Sequence, residues 1–343
     1  MERRPVSPRT VVVIGNFDGV HRGHVGLLRL AKESEPNARL VAVTFWPHPM
    51  SVVRPDQAPP LLCSLERRLE LLTEAGVDDV TVVEFTPEVA SWSPEEFVDR
   101  VLRPLDPVRV VVGENFRFGF RAAGDVDLLA KLGATRAEPV EVRLESMRAE
   151  PVEARLESMR AEPVEAPPST GPRQGFVVDA VPLFSDGAQP SSSTLIRHAV
   201  ADGDFGRVRE LSDQVFRMSG VVVRGDQRGR QMGFPTANII PAPGLAVPED
   251  GVYAGWVTRL DIADAPRWPA AISVGTNPTF DGVQRRVEAY VLDRDDLELY
   301  DVEIAVDFYT RLRGQVKYRG MEALIEQMHA DVEQVRHILH TAG

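Results

Sequence analysis

The spacing of apolar residues changes character partway along this chain, and that change limits the folds open to it more than any other feature. In the first part, β-branched apolar runs at residues 10–14, 40–45, 80–85 and 109–112 alternate with stretches of helical spacing at 65–73 and 94–102. Strands separated by helices pair in parallel, which predicts an α/β fold with a doubly wound, Rossmann-like sheet. Beyond about residue 200, short β-like runs follow one another at 218–223, 251–258, 270–274, 287–292 and 302–309, punctuated by Gly, Pro and Asn. That pattern predicts a compact antiparallel β-barrel. The closing stretch places Leu324, Ile325, Met328, Val332, Val335 and Ile338 at helical spacing, so a terminal amphipathic helix packs on the barrel.

A length of 343 residues exceeds what one core accommodates, because cores stop growing near about 250–300 residues. Two domains are expected, at 1–198 and 217–343, with a linker helix over 199–216. The net charge of −12 argues against a nucleic-acid partner, since counterion release needs clustered Lys and Arg. Any nucleotide is therefore held by local geometry. Cys63 is the only cysteine, which excludes an intrachain disulfide and suits a reducing compartment. No run approaches the roughly 18 apolar residues of a membrane span, so no membrane partner and a cytoplasmic location are expected. The sequence leaves a homo-oligomer open.

An internal repeat interrupts the first domain: RAEPVEVRLESM begins at Arg136, RAEPVEARLESM at Arg148 and a truncated RAEPVEA at Arg160. Its period is far shorter than a solenoid unit of roughly 20–50 residues. Each copy carries a proline and few large apolar side chains, so the stretch at about 135–174 reads as a surface insertion, disordered or partly helical.

GNFDGVHRGH occupies residues 15–24, between the first strand and the first helical stretch. A glycine-rich turn into a helix presents unpaired N–H groups and the positive end of the helix dipole, and both favour an anion. Gly15, Asn16, Phe17 and Asp18 open the turn, while His21 and His24 bracket Gly23 at the helix start. Alone, a His-x-x-His pair reads as two surface histidines, and a structural zinc site would need a second ligand pair. The strand before it and the helix after it turn the reading toward phosphate.

This motif resembles the nucleotidyltransferase signature of the bacterial bifunctional riboflavin kinase/FAD synthetase family. TFWPHP at 44–49, GENFRFG at 113–119 followed by Gly124 and Asp125, and SSTLIR at 192–197 resemble that family's further signatures in the same order. The resemblance implies a domain that transfers AMP from ATP to FMN and releases pyrophosphate. Such a displacement needs charge stabilisation more than a strong base. By the same resemblance Gly15, Asn16, Phe17 and Asp18 lie against the nucleotide, His21 and His24 act at the α-phosphate, Arg197 acts on the leaving pyrophosphate, and Asn115 sits in a loop facing nucleotide or flavin. Ser192 and Thr194 are assigned to phosphate, with an ordinary N-cap as an equal reading, and His48 and Phe116 to flavin.

GRQMGFPTAN at 229–238 has no Lys and is not a P-loop. Gly229 and Gly233 alone read as a hairpin turn. Thr236 and Asn238 alternate along an extended strand, which points both to one face, and two small oxygen ligands there suit Mg²⁺. The stretch resembles the riboflavin kinase signature, as do GVYAGWV at 251–257, VGTNPTF at 274–280 and VEAYVLD at 287–293. The resemblance implies that Thr236 and Asn238 hold Mg-ATP, that Glu288 is the general base for the riboflavin ribityl hydroxyl, and that Gly229, Arg230 and Gly233 lie on a loop closing over nucleotide. Residues 293–301, DRDDLELYD, depart from the family pattern.

The resulting reading is an enzyme that makes FMN from riboflavin in the barrel and FAD from FMN in the α/β domain, each step with Mg-ATP. Two others stay open at this point: a riboflavin kinase whose first domain is inactive or differently specific, and a non-catalytic flavin-binding module. A carrier has no use for Glu288 beside a magnesium site, and turnover of ATP separates the cases.

Overall fold

A computed structural model of the chain describes residues 9–135, 175–182, 191–225, 229, 232–279, 282–316 and 318–342. The repeat and Arg230 lie outside these residues. The chain divides into two compact units, one of Met1–Asn16, Gly26–Ala58 and Leu72–Leu183, the other of Phe17–Val25, Pro59–Leu71 and Phe184–Gly343.

The first unit is built on β1 (Thr10–Ile14), β2 (Arg39–Trp46), β3 (Asp79–Glu84), β4 (Pro107–Gly113) and β5 (Val177–Val181). They form one parallel sheet in the order β3-β2-β1-β4-β5. Val11, Val12, Val13 and Ile14 are all buried, so both faces of β1 are covered, as crossover connections require. On one face Val12, Ile14, Val43 and Val112 cluster with Phe97 and Leu129. The winding reverses between β1 and β4, and in such sheets the ligand crevice opens outside the carboxyl ends of the strands at that reversal. Gly15 follows β1 there, and Gly113 ends β4. The helix expected over 94–102 is one α turn, Pro94–Phe97, continued as a wider π turn, Val98–Leu102. Ser93 and Glu96 cap its start reciprocally, and Pro104 supplies no N–H to prolong regular helix at its end.

The second unit contains β6 (Phe216–Val223), β7 (Ala237–Ile239), β8 (Gly251–Arg259), β9 (Trp268–Thr279), β10 (Gly282–Val291) and β11 (Glu303–Gly314). These close into an antiparallel barrel in the order β10-β7-β6-β11-β8-β9, with β9 and β10 completing the ring. Val222, Ile239, Ile272, Val274, Val287 and Ala289 share its buried core. The terminal helix, Met321–Ala342, packs Val335 and Leu339 against Ala254 and Leu292. Its Asp331, 4% exposed, is held by Arg313 at 2.6 Å and by Gln327 at 2.9 Å, so that buried charge is paired. Two shorter helices, Ser193–Ala201 and Phe205–Ser212, precede the barrel, and Phe205 packs on Phe216, Tyr253 and Phe308. No described helix is long and apolar enough to cross a membrane.

Candidate active sites

In the first unit, the carboxyl ends of β1 and β4 carry Gly15, Asn16, Asn115 and Phe116. The Gly15 N–H donates to the Val43 carbonyl at 3.1 Å, and the buried Thr44 hydroxyl donates to the Asn16 carbonyl at 3.1 Å, which pins the loop to β2 while the Asn16 side chain stays exposed. Asn115 is exposed just past β4, in a turn closed by the Phe116 N–H on the Gly113 carbonyl at 2.9 Å. Phe116 stacks on Phe118 at 5.5 Å, and Phe118 packs on Phe97. Gly124 is required beside this stack, because a Cβ there would lie 2.6 Å from the Phe118 ring. His48 is buried, and its Nδ1 accepts from the Met50 N–H at 3.1 Å, capping the short helix Pro49–Val53.

In the second unit, residues 17–25 form a tight turn into the helix Arg22–Ser34. Phe17 and Val20 adopt left-handed φ values of 48° and 34°, a strain of roughly 1–3 kcal/mol each that persists only where surrounding contacts over-determine the backbone. Those contacts converge on Asp18, which is 1% exposed. Its carboxylate accepts from the Leu62 N–H at 2.9 Å and from Arg197 Nη2 at 2.6 Å, while its carbonyl accepts from the Ser193 hydroxyl at 2.9 Å. Asp18, expected against the nucleotide, thus spends its carboxylate on protein donors. Arg197 also donates from Nε to the Pro60 carbonyl at 2.7 Å. Ser192 caps the helix Ser193–Ala201 by accepting from the Leu195 N–H, and Thr194 is exposed in its first turn. His21 and His24 stack with ring centroids 3.8 Å apart and 20° between planes, and Phe17 meets His24 edge-on. Both Nδ1 atoms are shielded from solvent and have no hydrogen-bond partner among the described residues.

Burial first, then the Arg197 charge, pushes the His21 imidazole down to about 4. Burial, then His21 and Arg68, holds His24 well below its ordinary 6.5. Both rings are therefore neutral at pH 7, which permits the close stack. The unfolded chain takes up these protons below about pH 6.5, whereas folded His21 resists until about pH 4. The stabilisation is thus complete above 6.5 and is lost as the pH falls through 4, a share of about 3 kcal/mol for His21. Melting scans should show Tm dropping over this window and dropping less in His21→Gln. Parallel curves for the two proteins would contradict a neutral, buried ring.

The barrel carries a second constellation. The Gly229 carbonyl accepts from the Met232 and Phe234 N–H groups at 3.0 and 2.8 Å, and a Cβ on Gly229 would lie 2.5 Å from the Phe234 carbonyl oxygen. Gly233 turns the chain at φ 87°. Phe234 is buried edge-on between Tyr290 and His329, which anchors this loop to β10 and the terminal helix. Asn238 Nδ2 donates to both the carbonyl and the hydroxyl of Thr236 at 3.3 Å. The register sets Glu288 directly across from Asn238, with Ser273 on its other side. Opposed residues of antiparallel strands share a face, so Thr236, Asn238 and Glu288 gather on the outside of the barrel wall. A cavity of about 380 Å³ adjoins Thr236 and Asn238, lined also by Gly225 and Ala289 and, from the loop at 293–301, by Arg294, Leu297 and Tyr300; Glu288 is not in its lining.

The sequence reading missed that loop as a cavity wall, Phe234 and His329 as an anchor, and Arg68, whose guanidinium lies 3.7 Å from Asp18 and is fully buried. Only Arg68 left a trace: a charge on the side of the helix Leu65–Glu74 that also carries Leu65, Leu71 and Leu72 to the interior. Among the described residues no cluster of three His, Cys, Asp or Glu side chains could hold a metal.

Comparison with known proteins assigns both regions. The FAD synthetase family profile matches residues 4–153, and the riboflavin kinase family profile matches residues 212–339. The chain is 32% identical over 324 residues to a bifunctional riboflavin kinase/FMN adenylyltransferase of Escherichia coli K12, covering 94% of this chain and 90% of that one. It is 32% identical over 337 residues to the protein of the same description from Pseudomonas fluorescens, covering 97% and 94%. A crystal structure described as a macrolide-efflux protein from Streptococcus pneumoniae superposes with a TM-score of 0.74 at 26% identity, covering 96% of this chain and 95% of that one.

Proposed function

This chain belongs to the bifunctional riboflavin kinase/FMN adenylyltransferase family, and on that premise we propose that it phosphorylates riboflavin to FMN on the barrel and adenylylates FMN to FAD through the turn at residues 15–24. ATP is the co-substrate of both steps. The observation that carries the kinase reading is the pairing of Glu288 with Asn238. It sets a carboxylate beside two small oxygen ligands, the arrangement that transfer of a phosphoryl group to an alcohol requires. Glu288 accepts the ribityl hydroxyl proton as that oxygen attacks the γ-phosphorus and ADP leaves.

Thr236 and Asn238 fit Mg²⁺, a hard cation that takes few protein ligands and keeps waters and phosphate oxygens. With its Nδ2 spent on Thr236, Asn238 presents Oδ1, and Gly225 leaves room there, since a Cβ at 225 would lie 2.8 Å from that oxygen. Bound with ATP, the ion would neutralise phosphate charge. Gly225→Ala should lower riboflavin phosphorylation about tenfold, equal to ~1.4 kcal/mol in the barrier, with the KM for ATP raised and Tm little changed. Unchanged kinetics would remove the reason for glycine at this position.

For AMP transfer, a phosphate oxygen of FMN attacks the α-phosphorus and pyrophosphate leaves. His21 and His24 donate N–H groups to the α-phosphate as neutral rings at a helix N-terminus, and Arg197, with Nε and Nη2 already fixed, turns Nη1 toward pyrophosphate. Asp18 acts through Arg197, and Asn115, Phe116 and the His48 loop serve flavin and nucleotide. We assign residues 1–198 to this activity, 199–216 to the linker and 217–343 to the kinase, in a cytoplasmic enzyme. Incubating the purified chain with riboflavin, ATP and Mg²⁺ should produce FMN first and FAD after it by chromatography. A reaction that stops at FMN would reduce the protein to a kinase, and no conversion at all would leave a flavin-binding module.

A further inference from the structure

Residues 17–25, which carry His21 and His24, and residues 59–71 belong to the same compact unit as the barrel, and a continuous chain of contacts joins all three. Leu62 gives Asp18 its N–H and Pro60 gives Arg197 its carbonyl, so the segment at 60–62 fixes both partners of the ion pair that holds the turn. Gly19 packs on the same segment: a Cβ there would lie 3.0 Å from Leu62 Cδ1, and its N–H donates to Cys63 Sγ at 3.4 Å. The segment in turn rests on the barrel. Leu61 forms a parallel bridge to Leu245, in the connection between β7 and β8. Its N–H donates to the Gly244 carbonyl at 2.7 Å, and its carbonyl accepts from the Ala246 N–H at 2.8 Å. The Leu62 side chain is buried in the barrel's own core cluster, with Ala246 and Ile239.

The connection is a fixed support. Asp250 at its far end accepts from Arg285 at 2.6 Å and from the Thr276 hydroxyl at 3.0 Å, and the Leu245 N–H closes a turn on the Ala242 carbonyl at 3.2 Å. Gly244 lies in that turn at φ 82°, a region that β-branched residues reject and Asn accepts. A Cβ there would meet open space, with no atom of the described residues beyond its chain neighbours within 4 Å. A second tether, Arg22 Nε on Asp213 at 2.7 Å, joins two exposed side chains, a class of pair worth about 0–1 kcal/mol, so the backbone bridge and the buried Asp18 cluster dominate. Neither Gly244 nor Ala246 lines the cavity beside Thr236 and Asn238. Phosphoryl transfer on the barrel gains nothing from the bridge, whereas the placement of Asp18 and Arg197 depends on it.

We propose that Gly244 and Ala246, in the kinase part of the chain, are positioning residues for AMP transfer: through their bridge to Leu61 they set the Leu62 N–H and the Pro60 carbonyl, which orient Asp18 and Arg197 and thereby the turn that presents His21 and His24. This rests on the adenylyltransferase reading above. Neither residue touches nucleotide or flavin. Residues 1–198 supply the reacting groups of AMP transfer, and the barrel connection supplies part of their support.

The test is steady-state kinetics of the full chain for FAD formation from supplied FMN and ATP, with riboflavin phosphorylation measured on the same preparation. Gly244→Val places a β-branched residue at φ 82°, so it shifts the carbonyl that Leu61 bonds without a steric clash. It should lower kcat for FAD formation about tenfold to a hundredfold, the scale of a misplacement near 1 Å arising away from the chemistry, and leave riboflavin phosphorylation unchanged. Gly244→Asn fills the same open space yet accepts that φ, and should keep the original rate. Run in reverse, with FAD and pyrophosphate giving FMN and ATP, Gly244→Val should raise the KM for pyrophosphate, the ligand assigned to Arg197, more than the KM for FAD. A merely structural role lowers the yield of active protein and moves neither constant.

Unchanged FAD kinetics in Gly244→Val, equal losses in Gly244→Val and Gly244→Asn, or a joint fall of both activities would overturn the proposal. Ala246→Pro deletes the other bridging N–H from the barrel side and should reproduce the Gly244→Val pattern, so it decides the matter if Gly244→Val is not recovered folded. Failure of both to fold overturns the proposal too, because the connection would then serve the barrel as a whole. Absence of FAD formation by the unaltered chain would strike the adenylyltransferase reading itself, a result distinct from FAD formation that ignores Gly244.

Discussion

Replacing His21 and His24 together with alanine lowers FAD formation by about a thousandfold or more while FMN continues to accumulate from riboflavin. Removing one donor from a preorganised oxyanion site costs roughly 10²–10³ in rate, so two donors to one α-phosphate set the scale. The stack makes them a unit: either ring alone loses its neighbour's packing as well as its own N–H, so the single variants should each come close to the double variant rather than to its square root. The turn itself should survive, because its strained φ values are held by Asp18, Leu62, Ser193 and Arg197, none of which depends on an imidazole. The measurement is simultaneous chromatography of FMN and FAD from one reaction. FAD formed at near the original rate would sink the assignment of the histidines. Loss of both products would show that the two steps do not use separate residues.

How much of this could be read from residues alone follows from what each feature depends on. The parallel sheet was legible because burial on both faces of β1 writes an unbroken Val-Val-Val-Ile run, and the barrel because its strands follow without intervening helices. Thr236 and Asn238 were legible as one face because strand geometry has a strict period of two. Their partner across the sheet was not, since the pairing of Glu288 with Asn238 is set by register between strands far apart in sequence. Asp18 and Arg68 were opaque for a different reason. A carboxylate in a glycine-rich turn looks like a ligand for what the turn binds, and an arginine on an amphipathic helix looks like solvated charge. Only the folded chain shows both withdrawn from water and facing one another. Ser192 illustrates the converse: its N-cap bond is local and was foreseen as one of two readings, because capping needs nothing beyond the first turn of its own helix.

Glu288→Gln should produce the opposite pattern, with riboflavin phosphorylation reduced about 10²- to 10⁴-fold and FAD synthesis from supplied FMN retained. That range is the usual worth of a positioned general base, and the substitution keeps the volume and hydrogen-bonding shape of the side chain while removing its ability to take a proton. The register argument makes the effect local. Asn238 and Ser273 flank Glu288 on neighbouring strands of a closed barrel, and Val287 and Ala289 on either side of it are buried in the core, so a neutral amide on the outer face leaves the wall intact. A proton-acceptor role also predicts a signature that positioning alone does not: the kcat deficit should shrink as pH rises and the hydroxyl needs less help, whereas a lost hydrogen bond would cost the same at every pH. A kinase rate within a few-fold of the original would return Glu288 to the status of a solvated strand carboxylate. A variant that loses FAD formation from FMN as well would show that the barrel face and the histidine turn are not chemically independent.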